Sequence, residues 1–201
     1  MNNRKIFSGW LKLLVILFAV LGSIAAVVIH LGASSLTNLD VLGNVDEFAF
    51  TSQEGELFGT TQMQGKISIV DFIFTNCRSA CPVMTPNMAQ LYEAFKNSGI
   101  VQFVSISVDP ERDTEEVLKQ YAKDHGVTND AWAFLRADIN EVIKLSERIF
   151  MLAAANLPMG HSTKFVLVDE NLKIRGYFDG MNDESVAVLK DHITALAKEL
   201  Q

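Results

Sequence analysis

The chain has 201 residues, enough for one ordinary domain and an additional segment. Its formal net charge is −7, and without the basic residues Arg4, Lys5 and Lys12 the remainder carries 14 Lys and Arg against 24 Asp and Glu, a charge of −10. Such acidity argues against nucleic acid or an anionic membrane surface as the partner.

A run of 19 residues without charge, from Leu13 to Leu31, follows these basic residues. A helix of this length comes close to spanning the roughly 30 Å hydrocarbon core of a bilayer, which predicts a transmembrane anchor at residues 13–31. Because the basic residues precede it, we expect residues 1–12 in the cytoplasm and a periplasmic domain, as in a single-pass protein of the bacterial inner membrane. The alternative is a cleaved signal peptide with small residues at 33–35, although its apolar core is usually shorter.

Residues 32–45 are small and polar without a clear period, which predicts a tether before a folded domain at residues 46–201. Phe48 and Phe50 alternate with their neighbours ahead of the Gly-containing segment 53–56, a pattern typical of a short hairpin. Residues 67–74 are then almost continuously apolar, as the central strands of parallel sheets are.

Helical and strand patterns alternate in the remainder of the chain. Apolar residues at helical spacing predict a helix that ends at residues 97–99, one that begins at the N-cap Thr114, one in residues 139–150 and one in residues 186–200. Strands are predicted at 101–108 and 134–135, and an antiparallel hairpin is predicted from residues 164–168 and 174–178. This order, with parallel βαβ units first and a hairpin last, predicts an α/β, thioredoxin-like fold.

The two cysteines of the chain stand four residues apart, in Cys77-Arg78-Ser79-Ala80-Cys81-Pro82, between the first buried strand and a helix. A helix N-terminus lowers the pKa of a thiol and favours the thiolate, the form that attacks disulfides and binds metals. A structural disulfide is the ordinary alternative in an oxidising compartment, but closing so small a loop stabilises little. The spacing also differs from the Cys-x-x-Cys of thioredoxin-type redox motifs.

His161 is the third candidate ligand, because it lies just before the strand at 164–168. In a thioredoxin-like sheet, the loop that enters this strand faces the cysteine loop. A four-ligand zinc site would be short by one ligand, since His30 lies in the predicted anchor and His125 and His192 lie on helices remote from the cysteines. Cu(I) is soft and accepts two or three ligands, so two thiolates and one imidazole suffice for it.

Three separated motifs occur in order: Phe74-Thr75-Asn76-Cys77-x-x-x-Cys81-Pro82, then Val108-Asp109-Pro110-Glu111-Arg112-Asp113-Thr114, then His161-Ser162 before a hydrophobic strand. Together, over residues 45–200, they resemble the Sco/SenC family of membrane-anchored, thioredoxin-like proteins that help deliver copper to the CuA centre of cytochrome c oxidase. The resemblance implies a copper metallochaperone whose copper ligands are Cys77, Cys81 and His161, with Asp109 in a neighbouring, supporting loop. Its partner would be the CuA-carrying subunit of the oxidase or another copper protein.

A thiol-disulfide oxidoreductase that keeps target cysteines reduced is the alternative function. Cys77 and Cys81 would then be redox-active and form a reversible disulfide, while His161 would have no required role. The two roles can coexist, because target cysteines must be reduced before copper is loaded. A peroxidase shares the scaffold, but the proline that precedes the reactive cysteine in that class is absent around Thr75.

Several other residues have plainer interpretations. Met84 and Met88 lie at helical core spacing, so packing explains them. Glu111, Arg112 and Asp113 are interpreted as a solvated turn and helix start.

Overall fold

The structure is a computed structural model that describes residues 15–27 and 39–200. The chain divides into two compact units, residues 1–38 and residues 39–201. In the first unit, residues 15–27 form helix α1, which lies within the predicted anchor. Within the described residues, no helix has the length and apolarity needed to cross a bilayer. The rest of the predicted anchor, the N-terminal residues 1–12 and residues 32–38 of the predicted tether lie outside the described residues.

The second unit is an eight-stranded sheet with helices packed against it. Its elements in chain order are β1 (Gly43–Asn44), β2 (Ala49–Ser52), β3 (Leu57–Gly59), α2 (Thr60–Met63), β4 (Ile67–Ile73), α3 (Cys81–Phe95), β5 (Val101–Ser107), α4 (Glu115–Asp124), β6 (Trp132–Arg136), α5 (Ile139–Lys144), a single-turn π-helix (Leu145–Ile149), β7 (Lys164–Val168), β8 (Lys173–Asp179) and α6 (Asp183–Glu199).

The strands lie in the order β1-β8-β7-β4-β5-β6-β2-β3, with β4, β5 and β6 parallel to one another. Every residue of β4 and β5 is buried, which explains why apolar residues predominate in both strands. The predicted hairpins are confirmed as β2–β3 and β7–β8. The pattern did not predict the short helix α2 or β1, which pairs with β8, so the predicted tether overlaps the sheet at its C-terminal end.

Helices cover both faces of the sheet. Tyr92 of α3 packs on Phe103 and Trp132, with ring centroids 5.9 and 5.5 Å away. These two rings are opposite one another in the β5–β6 register, so they share a face, and α3 covers it. Phe72 points to the other face, because side chains alternate along β4, and it contacts Phe150 beyond the π-helix. The predicted thioredoxin-like α/β plan therefore holds.

The topology brings three loops to one edge of the sheet. Since β4 and β5 are parallel, the loops that follow them leave the sheet on the same side. β7 runs antiparallel to β4, with Val70 opposite Val166, so the loop that enters β7 arrives at that same edge. The cysteine loop, the loop at residues 108–114 and the loop that carries His161 therefore meet there.

Candidate metal centre

The cysteine loop places one sulfur at the N-terminus of α3. Cys81 is the first residue of the helix, and its backbone amide donates a hydrogen bond to the Sγ of Cys77 at 3.4 Å. The N-cap residue Ala80 has no side chain that can accept such a bond. The Cys77 sulfur thus takes the place of a capping oxygen, at the position where the helix dipole favours a negative charge. Both cysteines are free and buried.

His161 completes a group of three ligand-type side chains. Its Nε2 lies 3.9 Å from the Sγ of Cys77 and 3.9 Å from the Sγ of Cys81, and the three ligand atoms all lie within 4.8 Å of one another. Its Nδ1 lies 3.0 Å from the backbone oxygen of Ser162. Because a carbonyl can only accept, this bond places the proton on Nδ1 and leaves the lone pair of Nε2 facing the sulfurs. Phe74 contacts the ring edge-on at 5.5 Å.

The two thiols differ in acidity. Burial opposes ionisation of Cys77, but hydrogen bonds from the Cys81 amide and from Ser79, together with the interaction with His161, outweigh it and lower the pKa of Cys77 from 9.0 to about 6. Burial raises the pKa of Cys81, and the neighbouring charges of Cys77 and Asp71 add to this effect. Cys77 is therefore the thiolate near neutral pH, whereas Cys81 keeps its proton until a ligand replaces it.

The dimensions of the group fit a metal ion. Bonds of about 2.3 Å to sulfur and 2.0 Å to imidazole nitrogen, as zinc makes, place the ligand atoms of a three-coordinate site about 4 Å apart. The observed sulfur–nitrogen distances of 3.9 Å agree with this spacing. Two thiolates and one imidazole are soft ligands, and the described residues within reach offer no fourth one of His, Cys, Asp or Glu.

Asp113 holds the cysteine loop in place. Its carboxylate is fully buried and accepts hydrogen bonds from the hydroxyl of Thr75 at 2.6 Å, from the Thr75 amide at 3.3 Å and from the hydroxyl of Ser107 at 2.5 Å. Thr75 stands two residues before Cys77, so this carboxylate links the cysteine loop to the end of β5. The interpretation of Asp113 as part of a solvated turn was wrong, because its side chain points inward from the turn.

Asp109 has a different role from Asp113, four residues further on. Its carboxylate accepts a hydrogen bond from the exposed guanidinium of Arg112 at 2.8 Å. Together with Leu157 and Pro158 it lines a groove of about 600 Å³ beside the loop that leads to His161. The side chain of Asp109 therefore contacts Arg112 and lines this groove, and the support of the cysteine loop comes from Asp113.

Two methionines of α3 behave as packing predicted. Met84 and Met88 are fully buried in the core, which confirms their interpretation as packing residues. Met159, two residues before His161, is 67% exposed.

Sequence reasoning missed one buried acid close to the site. Asp71, in the middle of β4, is 1% exposed and accepts a hydrogen bond from the hydroxyl of Ser105 at 2.6 Å. Burial raises its pKa to about 7, against the opposing effects of Ser105 and of His161. A signal was available, because Asp71 is the single charged residue in the apolar run at 67–74.

Comparison with known proteins identifies the family. The family model described as SCO1/SenC matches residues 41–197, which includes all three motifs and the whole sheet. The chain belongs to the SCO1/SenC family.

Solved structures of Sco proteins share the fold. A SCO1/SenC family lipoprotein from Bacillus anthracis is 34% identical, with a TM-score of 0.71 over 77% of this chain and 95% of that one. BsSco, described as a member of the Sco family of cytochrome c oxidase assembly proteins and as having a disulfide switch, is 31% identical, with a TM-score of 0.68 over 78% and 96%. Yeast Sco1 with copper bound is 25% identical, with a TM-score of 0.60 over 74% and 86%.

Proposed function

We propose that the chain is a copper metallochaperone that carries copper as cargo on Cys77, Cys81 and His161. The observation that carries this proposal is the buried group of two sulfurs and one imidazole nitrogen, all within 4.8 Å of one another. Three soft ligands suit Cu(I), whereas a structural zinc site would require a fourth. The copper-bound structure of the similar yeast Sco1 supports the choice of metal.

The receiving protein is a copper protein of the respiratory chain, the CuA-carrying subunit of cytochrome c oxidase. Support comes from the similarity to BsSco, which is described as a cytochrome c oxidase assembly protein. We place the folded domain in the periplasm, tethered to the bacterial inner membrane by residues 13–31 with the N-terminus in the cytoplasm. The charge-free run at 13–31 and the basic residues before it support this topology.

The residues of the site have distinct parts in binding. Cys77, ionised near neutral pH, offers the first ligand, and His161 offers an Nε2 lone pair that the Ser162 carbonyl keeps directed at the sulfurs. Cys81 must lose its proton when the metal binds, so uptake releases protons and weakens in acid. Both sulfurs must be reduced, because a disulfide leaves no thiolate to bind.

A copper titration of the reduced full chain tests the proposal. We expect one Cu(I) per chain, with X-ray absorption showing two sulfur ligands and one nitrogen ligand. Cys77→Ser, Cys81→Ser and His161→Ala should each weaken binding, while the control His125→Ala, which removes a remote histidine at the end of α4, should not. Unchanged copper uptake by His161→Ala would remove the reason to prefer this function.

A second function, thiol-disulfide exchange, is favoured by the lowered pKa of Cys77. The Cys77 thiolate would attack a target disulfide and form a mixed disulfide, and Cys81 would then displace the target as a dithiol. The two electrons that reduce the target come from closing the Cys77–Cys81 bridge. Exchange with a disulfide-containing target peptide, compared in the wild type and His161→Ala, tests this role. Absence of exchange with reduced protein would exclude it.

A further inference from the structure

Asp71 ends a one-directional chain of hydrogen bonds on the sheet face that α3 covers. Trp132 donates from its Nε1 to the hydroxyl of Ser105 at 2.9 Å, and Ser105 lies opposite Asp71 in the β4–β5 register. Indole nitrogen is a donor only, so the Ser105 hydroxyl accepts from Trp132 and donates its own hydrogen bond to the Oδ1 of Asp71. Oδ2 of Asp71 is buried and has no hydrogen-bond partner among the residues that the structure describes, which is costly for a carboxylate.

This carboxyl faces the helix that carries Cys81. Asp71 and Ser105 share the sheet face of Phe103 and Trp132, and Tyr92 shows that α3 lies across that face. The interior between the sheet and the helix screens charges little. Accordingly, a negative charge on Asp71 contributes to raising the pKa of the Cys81 thiol.

Metal binding changes the charge next to this carboxyl. Two thiolates and a neutral imidazole carry −2, so the loaded site is −1 with a monovalent ion and 0 with a divalent one. An ionised Asp71 repels the site that holds a monovalent ion, because that site is negative, and does not repel the neutral site that holds a divalent ion. We infer that Asp71 is a specificity residue that sets the preference of the Cys77–Cys81–His161 site between monovalent and divalent metal ions. This inference rests on the proposed function.

The inference predicts a dependence on pH that belongs to Asp71. A site holding a monovalent ion keeps the Asp71 proton to higher pH than a site holding a divalent ion, so the ratio of the two affinities falls as pH rises. The other titratable groups packed around this face are Cys77, Cys81, His161, Tyr121 of α4 and His192 of α6. The three ligands are bound to the metal with either ion, and burial raises the pKa of Tyr121 above its ordinary value of 10.0.

The experiment measures the affinities of the reduced full chain for Cu(I) and for Zn(II), each by competition with a chromogenic chelator, between pH 6 and 8.5. Neither ion changes its oxidation state, and the thiol protons displaced are the same for both, so they cancel in the ratio. In the wild type, the ratio of Cu(I) to Zn(II) affinity should fall by up to about tenfold per pH unit where Asp71 titrates. In Asp71→Asn this ratio should not change with pH and, at pH 8.5, should be at least about tenfold higher than in the wild type.

Two further variants keep the test decisive. Glu111→Gln removes an exposed acid from the neighbouring loop and should keep the wild-type slope. Ser105→Ala removes the donor that stabilises the charged carboxylate, so the fall should move to higher pH even if Asp71→Asn does not fold. A wild type that binds neither ion through the three ligands overturns the proposed function. Normal binding with the same ratio and slope in wild type, Asp71→Asn and Ser105→Ala overturns the role of Asp71 alone.

Discussion

Replacing Asp113 with alanine tests whether the loop after β5 holds the cysteine loop in place. The carboxylate accepts from three donors, the amide and hydroxyl of Thr75 and the hydroxyl of Ser107, in a fully buried position. Each of the three donors left unpaired costs roughly 1–3 kcal/mol, so Asp113→Ala should lower the free energy of unfolding by about 3–9 kcal/mol. Releasing Thr75 adds about 1–2 kcal/mol of backbone ordering to metal binding, a loss of about tenfold in copper affinity.

Urea unfolding of the metal-free chain and a chelator-competition titration measure the two effects. Asp109→Ala is the matched control, since it removes another buried carboxylate from the same loop. Its partner Arg112 is exposed, so its loss should change stability and affinity much less. Equal losses in the two variants, or unchanged copper affinity in Asp113→Ala, would refute the assignment of the supporting role to Asp113.

Three other outcomes are expected. Alkylation of Cys77 in the metal-free chain should accelerate up to about pH 6 and then level off, and a rate that rises to pH 9 would contradict its lowered pKa. Gly160→Ala places a Cβ 2.1 Å from the carbonyl oxygen of Ala155, so the loop must shift and copper affinity should fall; unchanged affinity would show that the loop adapts. Burial raises the pKa of Asp71 from 3.8 to about 7, so the folded state retains a proton that the unfolded state loses, and stability falls as pH rises through this range. Urea unfolding of Asp71→Asn should therefore show a gain over the wild type that is larger at pH 8 than at pH 5, not a constant difference.

Most of the fold could be predicted from the sequence because the elements have strong patterns. The apolar residues concentrated in 67–74 and 101–108 predicted β4 and β5, and Thr114 marked the start of α4, where its side chain accepts from the amide of Val117. β1 has two residues and α2 has four, too few for either to show a period. Their formation depends on neighbours distant in the chain, such as β8 for β1.

The direction of a side chain in a turn was beyond local reasoning. Glu111, Arg112 and Asp113 are consecutive charged residues, and composition favours a solvated turn for all three. Only the meeting of the loops after β4 and β5 provides Thr75 and Ser107 as partners that make burial of Asp113 favourable. The predicted anchor at residues 13–31 and its topology remain predictions.

The sequence alone determined the chemistry available to this protein: one pair of cysteines at a helix N-terminus and one histidine before a strand, on an α/β scaffold whose motifs resemble Sco/SenC. Spacing along a helix and apolar runs along strands are local properties, so the sequence displays them. The tertiary structure decided which side chains meet. Distances of 3.9 Å from the His161 ring to both sulfurs, and the burial of Asp113 and Asp71 around them, arise from the parallel pairing of β4 with β5 and the antiparallel return of β7. Those contacts join residues far apart in the chain, and the packed sheet alone sets their environment and their charge.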